Sequence, residues 1–190
     1  CSMLRSIMSG AGYKTGLYTS PHLSSVRERF RIDEQFISEA DFTRLMETIR
    51  QSLGVHTITY FECTTVLAFL WFAEQGCDLV ILETGLGGRL DATNVISPLL
   101  SIITTISLDH EQFLGTSVEE VAFEKAGIVK PHIPVISGVE DPQAWQVISR
   151  TCSERQAALS QKDKDFLLDR EPDGPWVWKS TDAQVRLNLI

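Results

Sequence analysis

D-L-V-I-L-E-T-G-L-G-G-R-L-D-A-T-N, residues 78–94, decides the fold class. It begins with a run of apolar residues at 79–82, bounded by acidic residues, and continues into a loop with three glycines. A second apolar run, rich in isoleucine, follows at residues 99–106. Runs that are apolar on both faces are typical of the middle of a parallel sheet covered by helices. Because ligands bind beyond the carboxyl ends of such strands, the residues after each run are candidate site residues.

The rest of the chain alternates between helical and strand-like segments. Helical spacing of apolar residues predicts helices at residues 2–11, 38–53, 64–75, 117–126 and 142–158. Strands are predicted at residues 14–19 and 134–137, and further short strands at 165–168, 176–179 and 184–189. We therefore predict an α/β fold with a mostly parallel sheet flanked by helices, residues 1–160, followed by a small β-rich extension of the same domain, residues 161–190.

Composition and charge argue against two classes of binding partner, nucleic acids and membranes. The 190 residues carry a net charge of -8 with acidic and basic residues interspersed, which argues against nucleic acid as a partner because phosphate binding needs a basic face. No apolar run is long enough to span a bilayer and no signal peptide opens the chain, so no membrane partner is expected. The four scattered cysteines form no zinc-binding spacing, and we interpret them as reduced thiols of a cytoplasmic protein.

The first candidate site follows the strand at residues 78–83. Glu83 stands at its tip, where a carboxylate can hold Mg²⁺ directly or through water. The glycines of the next residues let the backbone approach a ligand, and Arg89 and Asp91 add charge. The alternative is that Glu83 caps a turn and that the glycines only shape the loop.

Asp109 and His110 follow the second apolar run. A neutral imidazole can ligate a divalent metal, and the neighbouring carboxylate can fix its tautomer. In most proteins such a pair is a surface turn. Lys125 stands near a helix end, where a cation also suits the helix dipole without any catalytic role.

Two further segments suggest contacts with a flat heterocycle. Residues 59–62, T-Y-F-E, open a helix and offer an aromatic face and a carboxylate, although Thr59 and Glu62 also suit a capping box. Residues 20–22, S-P-H, follow the first strand and form either a mobile loop over the site or an ordinary proline turn.

Taken in order, these segments resemble one family. G-Y-K-T-G-L-Y-T-S-P-H-L, T-Y-F-E, L-E-T-G-L-G-G-R-L-D-A-T-N, S-L-D-H and E-K-A-G-I are similar to folylpolyglutamate synthase/dihydrofolate synthase, of the wider group of Mur-type ligases. The similarity runs from residue 1 to about residue 138. It implies the central domain of such a ligase, which resembles the phosphate-loop nucleoside triphosphatases in fold.

The resemblance implies a role for each candidate. It implies that Glu83 binds a first Mg²⁺ and His110 a second, and that Lys125 is carbamylated, which would make it a metal-holding carboxylate and a catalytic group with His110. The pterin-side contacts that it implies are Thr59, Tyr60, Phe61, Glu62, Leu90, Asp91 and Ala92, with Ser20, Pro21 and His22 in a mobile loop near the folate.

The implied reaction joins L-glutamate to dihydropteroate or to a folylpolyglutamate. The substrate carboxylate attacks the γ-phosphate of ATP to give an acyl phosphate, and the amine of glutamate then displaces phosphate. The implied partners are therefore small molecules, namely ATP, glutamate and a folate, and the family is usually monomeric. The geometric expectation is that Glu83, His110 and Lys125 converge at one rim.

The sequence departs from the family at both ends. The family's phosphate-binding loop, G-T-N-G-K-G-S/T, and its C-terminal glutamate-binding domain have no counterpart, so we expect these 190 residues to bind ATP poorly and catalyse nothing alone. Two alternatives stay open: a UDP-MurNAc-peptide ligase of the same superfamily, and a non-catalytic folded fragment that acts as a binding module. A generic phosphate-loop ATPase fits less well.

Overall fold

A computed structural model describes residues 1–170, 174–181 and 183–187. They form two compact units: residues 1–86 with 91–95, and residues 87–90 with 96–190. The Gly-rich loop is thus divided between the two units. Whether the domain boundaries at residues 1–160 and 161–190 hold stays a prediction.

The first unit is built on a mixed sheet. It contains α1 (Ser2–Gly10), β1 (Thr15–Tyr18), β2 (Phe30–Ile32), β3 (Gln35–Phe36), α2 (Glu39–Leu53), α3 (Tyr60–Glu74) and β4 (Leu79–Leu82), with 3₁₀ turns at Val26–Arg29 and Ala92–Val95. The strand order is β3-β2-β1-β4, and only the β1–β4 pair is parallel.

The core of the first unit explains this arrangement. All four residues of β1 are buried, and α3 is apolar over most of its surface, so both must be covered. Gly16 of β1 allows the closest approach, because a Cβ there would stand 2.9 Å from the ring of Phe72. Around this contact the core gathers aromatic and aliphatic side chains, including Tyr18, Phe30, Leu45, Leu67 and Trp71.

The second unit contains two sheets. A parallel sheet has the order β5-β6-β7, and an antiparallel sheet has the order β10-β9-β8. The elements are β5 (Ser101–Ile103), α4 (Glu111–Leu114), α5 (Val118–Ala126), β6 (Val135–Ser137), α6 (Pro142–Glu154), β7 (Leu159–Gln161), β8 (Phe166–Arg170), β9 (Trp176–Ser180) and β10 (Gln184–Leu187). Side chains of β5, α5, β6 and α6 share one apolar core.

The predicted α/β class is confirmed. The prediction that the apolar runs at residues 79–82 and 99–106 form strands in the middle of a sheet is wrong. Each of β4 and β5 pairs with one neighbour and therefore lies at the edge of its sheet in the described chain. Val80 of β4 and Ile102 of β5 are accordingly 41% exposed. The apolar pattern indicates which side chains favour burial, but it does not say which strands flank them.

Most predicted elements appear with shifted ends. The helix predicted at 64–75 begins four residues earlier, at Tyr60, because Thr59 caps it. The strand predicted at 99–106 is only Ser101–Ile103. The strand predicted at 184–189 covers Gln184–Leu187, and its last two residues lie outside the described residues. No helix in the described ranges has the length and apolarity to span a bilayer.

Candidate functional site

Glu83 and Ser20 meet at the carboxyl ends of two paired strands. Tyr18 of β1 is in register with Leu82 of β4, so the next residues of both strands emerge at the same edge. The Ser20 backbone N–H donates a hydrogen bond of 3.0 Å to Oε2 of Glu83. The other carboxylate oxygen accepts no hydrogen bond from the described residues.

This corner fits a hard divalent cation. Mg²⁺ keeps several waters and is usually bound by one or two carboxylates together with substrate phosphates, so it needs no cage of protein ligands. Glu83 supplies one such carboxylate, and Ser20, whose backbone N–H is bonded to it, is a residue with a neutral hydroxyl. No group of three or more His, Cys, Asp or Glu side chains suited to a metal occurs within the described ranges.

The loop after Ser20 is tied down by a nearby carboxylate. The backbone N–H groups of Leu23, Ser24 and Ser25 all donate to the side chain of Glu28, at 2.7–3.1 Å. These bonds hold the pKa of Glu28 below its ordinary value. Leu23 itself is 96% exposed, so the loop is held through its backbone and its tip faces solvent.

His22 in this loop contacts Arg29, which follows the loop in the sequence but is not among the predicted site residues. Its Nδ1 accepts a hydrogen bond of 2.9 Å from Nε of Arg29, and the guanidinium of Arg29 lies 5.5 Å from the centroid of the Tyr60 ring. His22 and Tyr60, both predicted site residues, are therefore joined through one arginine. Nothing in the local sequence pattern indicates this contact.

The T-Y-F-E segment has mainly a structural role at its two polar ends. Thr59 accepts from the Glu62 backbone N–H at 3.1 Å, and Glu62 accepts from the Thr59 backbone N–H at 2.6 Å. This capping box lowers the pKa of Glu62. Phe61 packs against the loop, since a Cβ at Gly85 would stand 2.5 Å from its ring. Tyr60, whose two polar neighbours form the cap, is 56% exposed and therefore open to a ligand.

Asp91 folds the first half of the Gly-rich loop onto itself. Its Oδ2 accepts from the N–H groups of Gly85 and Leu86, at 2.8 and 2.9 Å. Its Oδ1 accepts from the backbone N–H and the hydroxyl of Thr93, at 2.9 and 2.6 Å. Both oxygens are therefore engaged within the loop, whereas the side chain of Leu90, 79% exposed, faces solvent.

The second half of the loop is attached to α5 beside Lys125. The Arg89 side chain donates to both carboxylate oxygens of Glu124, at 2.9–3.2 Å, and its backbone N–H donates to the Glu124 carbonyl at 2.8 Å. Gly127 lies so close to Arg89 that a Cβ there would be 2.3 Å from its Cα. This contact fixes the loop against the helix end that carries Lys125.

Lys125 and His110 differ in what holds them. Lys125 is partly buried on α5, and its amine has no ion pair or hydrogen bond with the described part of the chain. His110 has a left-handed backbone, φ 51°, and its N–H donates to Asp109 Oδ1 at 2.8 Å. Its Nε2 lies 3.8 Å from Asp109 Oδ2, which is too long for a hydrogen bond, so Asp109 does not fix the tautomer here.

Glu83 belongs to the first unit, and His110 and Lys125 belong to the second. Their predicted convergence stays a prediction.

Comparison with known proteins gives one consistent family. The family model described as Mur ligase middle domain matches residues 32–170. The dihydrofolate synthase/folylpolyglutamate synthase of Haemophilus influenzae is 37% identical over 190 residues, which cover the whole chain and 42% of the relative.

Solved structures agree with this match. The Escherichia coli FolC structure in complex with DHPP and ADP superposes with a TM-score of 0.91 at 36% identity, covering 97% of this chain and 44% of that one. A bifunctional folylpolyglutamate synthase/dihydrofolate synthase with Mn, AMPPNP and L-glutamate bound gives 0.89 at 37% identity, with the same two shares. The chain thus spans about two fifths of the length of the relatives that it matches.

Proposed function

The chain belongs to the Mur ligase middle domain family, and from this we propose that it serves an ATP-dependent ligase that joins L-glutamate to dihydropteroate or to a folylpolyglutamate. The observation that carries the proposal is the identity to a dihydrofolate synthase/folylpolyglutamate synthase, 37% over all 190 residues. Support from the geometry comes from the Glu83 carboxylate, which the Ser20 backbone N–H orients at the adjoining ends of two paired strands. The second candidate is a UDP-MurNAc-peptide ligase, which the match to the Mur ligase middle domain alone leaves open.

Glu83 is proposed to hold a first Mg²⁺, with the Ser20 hydroxyl as a second protein oxygen. The unengaged oxygen of Glu83 supports this role, because Oε2 is already oriented by the Ser20 amide. His110 is proposed to hold a second Mg²⁺, and Lys125 to act after carbamylation as a carboxylate ligand. The partly buried Lys125 amine, with no partner among the described residues, supports that modification. Bound Mg²⁺ would neutralise the oxygens of the transferred phosphate.

The reaction follows two balanced steps. A carboxylate oxygen of the substrate attacks the γ-phosphorus of ATP, so an acyl phosphate forms and ADP leaves. The glutamate amine then attacks the acyl carbon, the amide bond forms, and phosphate leaves as the amine loses its proton. The residues of this chain contribute orientation: the Ser20–Glu83 bond fixes one carboxylate at the strand ends, and the Arg89–Glu124 contact fixes the helix end that carries Lys125.

The folate side is proposed to involve Tyr60, Leu90 and Ala92. The exposed ring of Tyr60 and the exposed side chain of Leu90 offer apolar surface to a flat heterocycle. Asp91 acts mainly by holding the first half of the loop, since both its oxygens accept hydrogen bonds from the loop itself. Thr59 and Glu62 act likewise through the capping box.

Binding and turnover assays test the proposal together. Isothermal titration compares dihydropteroate with a UDP-linked MurNAc peptide, and a radiochemical assay follows ATP-dependent incorporation of glutamate into dihydropteroate or tetrahydrofolate. We expect dihydropteroate to bind and the UDP-linked peptide not to bind. Peptide binding alone would favour the peptidoglycan alternative. Folate binding without turnover would support the non-catalytic binding module for these 190 residues and our expectation that they are inactive alone.

Metal binding is tested separately by titrating Mn²⁺ and following water proton relaxation. Glu83→Gln should weaken Mn²⁺ binding by tenfold or more, whereas Glu47→Gln, an exposed acid on α2, should leave it unchanged. Equal affinity in Glu83→Gln and the unchanged chain would overturn the role of Glu83.

We further propose a cytoplasmic, monomeric protein with no nucleic acid partner, in keeping with a net charge of -8.

A further inference from the structure

Three arginines alternate along residues 27–31 and have different surroundings. Arg27 donates to the Ile37 carbonyl at 2.6 Å and pairs with Glu39 at 3.3 Å. Arg31 lies over the Phe36 ring and pairs with Glu34. Arg29, between them, is only 7% exposed and pairs with no carboxylate of the described residues. The most deeply buried of the three cations is therefore the one without an anion.

Two neighbours orient Arg29. Its Nε donates to Nδ1 of His22 at 2.9 Å, and the ring of Tyr60 covers its guanidinium at 5.5 Å from the centroid. Since Nδ1 of His22 accepts, the neutral imidazole carries its proton on Nε2, which is a second donor. The two terminal nitrogens of Arg29 are not among the buried unpartnered atoms of the described chain, so they retain contact with solvent.

Three carboxylates on the neighbouring segments accept backbone hydrogen bonds. Glu28 accepts from three backbone N–H groups of residues 23–25. Glu62 accepts from the Thr59 backbone, and Glu83 accepts from the Ser20 backbone. None of these three carboxylates forms an ion pair with Arg29 in the described chain, so the place of a counter-ion is open to the carboxylate of a ligand.

We propose that Arg29, with His22 and Tyr60, forms a subsite for an aryl carboxylate. A buried cation is favourable only when an anion pairs with it, and the fork of a guanidinium matches the two oxygens of a carboxylate. The half-exposed Tyr60 ring favours an aromatic group next to that carboxylate. The identity of this ligand with the substrate carboxylate rests on the proposed function.

The subsite lies on the same loop as the candidate cation ligand. His22 is two residues after Ser20, whose N–H is bonded to Glu83. An aryl carboxylate held by Arg29 would therefore be oriented by the loop that also contacts Glu83. Arg29 would select substrates that carry the carboxylate, whereas Tyr60 would accept the aromatic ring.

Nuclear magnetic resonance of the uniformly ¹⁵N-labelled chain tests the subsite directly. The Nε–H of Arg29 donates to His22 and is mostly buried, so its exchange with water should be slow enough for its signal to be seen. Titration with sodium benzoate should shift this signal saturably and leave that of Arg31 unchanged. Inorganic phosphate serves as the competing anion, and a shift caused by phosphate alone would overturn the assignment to a carboxylate.

Variants separate charge from packing. Arg29→Met keeps the apolar stem and should weaken pteroate binding by about tenfold or more, the size of one or two charge-assisted hydrogen bonds. It should leave 6-hydroxymethylpterin binding, which involves no carboxylate, unchanged. Arg29→Lys should restore part of the pteroate affinity. Arg31→Met, which removes an arginine that also lies over an aromatic ring, is the matched control and should bind pteroate normally.

The outcomes distinguish this inference from the proposed function. Normal pteroate binding by Arg29→Met, with no benzoate shift, would overturn the subsite and leave the proposed function intact. A benzoate shift at Arg29 in a chain that binds neither pteroate nor 6-hydroxymethylpterin would support the subsite and contradict the proposed function. If circular dichroism shows that Arg29→Met is unfolded, the benzoate titration of the unchanged chain still decides.

Discussion

Replacement of Asp91 should loosen the first half of the Gly-rich loop by an amount that the structure allows us to work out. The carboxylate accepts four hydrogen bonds, two on each oxygen. Each bond contributes about 0.5–1.5 kcal/mol net, toward the lower end where the donor is exposed, so Asp91→Ala should cost about 2–4 kcal/mol.

Asp91→Asn should cost about half as much. The amide retains one accepting oxygen and can serve either Thr93 or the pair Gly85 and Leu86. Its NH₂ group then faces N–H donors on the other side. The matched control is Asp78→Asn, because Asp78 also ties backbone, but through one bond of 2.8 Å to the Lys14 N–H. That substitution should cost no more than about 1 kcal/mol.

Two measurements check the loop prediction. Urea unfolding gives the change in unfolding free energy, and hydrogen exchange reports the Gly85 and Leu86 amides individually. Both amides should exchange faster in Asp91→Ala. They should also exchange faster in Asp91→Asn when the remaining amide oxygen accepts from Thr93 and not from Gly85 and Leu86. The reasoning would be refuted if Asp91→Ala had the same urea midpoint as the unchanged chain and the same slow exchange at both amides. Contact with a ligand would then be the role left for Asp91.

Three further predictions concern the contacts of α5 with Arg89 and the decrease in stability at low pH. A double-mutant cycle on Arg89 and Glu124 should give a coupling energy of about 0.5–1.5 kcal/mol in urea unfolding, limited by partial exposure, and additive single effects would contradict the contact. Gly127→Ala should destabilise the chain by about 1–3 kcal/mol through overpacking against Arg89, whereas Gly10→Ala, with open space around it, should be nearly neutral in the same assay. Hydrogen bonds from neighbouring side chains lower the pKa of Glu47 from 4.5 to about 2. The stabilisation by Glu47 is therefore present above pH 4.5 and is lost as the pH falls toward 2. Glu47→Gln should reduce the slope of the urea midpoint against pH in this range, and an unchanged slope would contradict the prediction.

Local signals in the sequence predicted much of the fold. The apolar run at 79–82 located β4 and placed Glu83 at its end, and the T-x-x-E spacing of Thr59 and Glu62 indicated a capping box that the structure contains. These predictions succeed because each depends on residues a few positions apart. The strand ends were less accurate because the residue pattern does not show where pairing with the neighbouring strand stops.

Contacts across long sequence separations could not be predicted in this way. Arg29 lies over Tyr60, 31 positions away, and Arg89 pairs with Glu124, 35 positions away, so both depend on how the elements pack. The β2–β3 hairpin was missed for another reason. Its strands have three and two residues, too few for a period to be counted, and its turn at Asp33 has a positive φ without the usual Asn-Gly or Asp-Gly pair.

The close fit of Gly127 against Arg89 limits how this region can be engineered. Residues 87–90 and 124–128 behave as a matched set, since a side chain at Gly88 would meet the carbonyls of Glu124 and Lys125 at 3.0 and 3.1 Å. Grafting the glycine-rich segment into another scaffold therefore requires transplanting the end of α5 with it. A chimaera that exchanges only one of these two segments should contain steric clashes between them, and these should impair its folding.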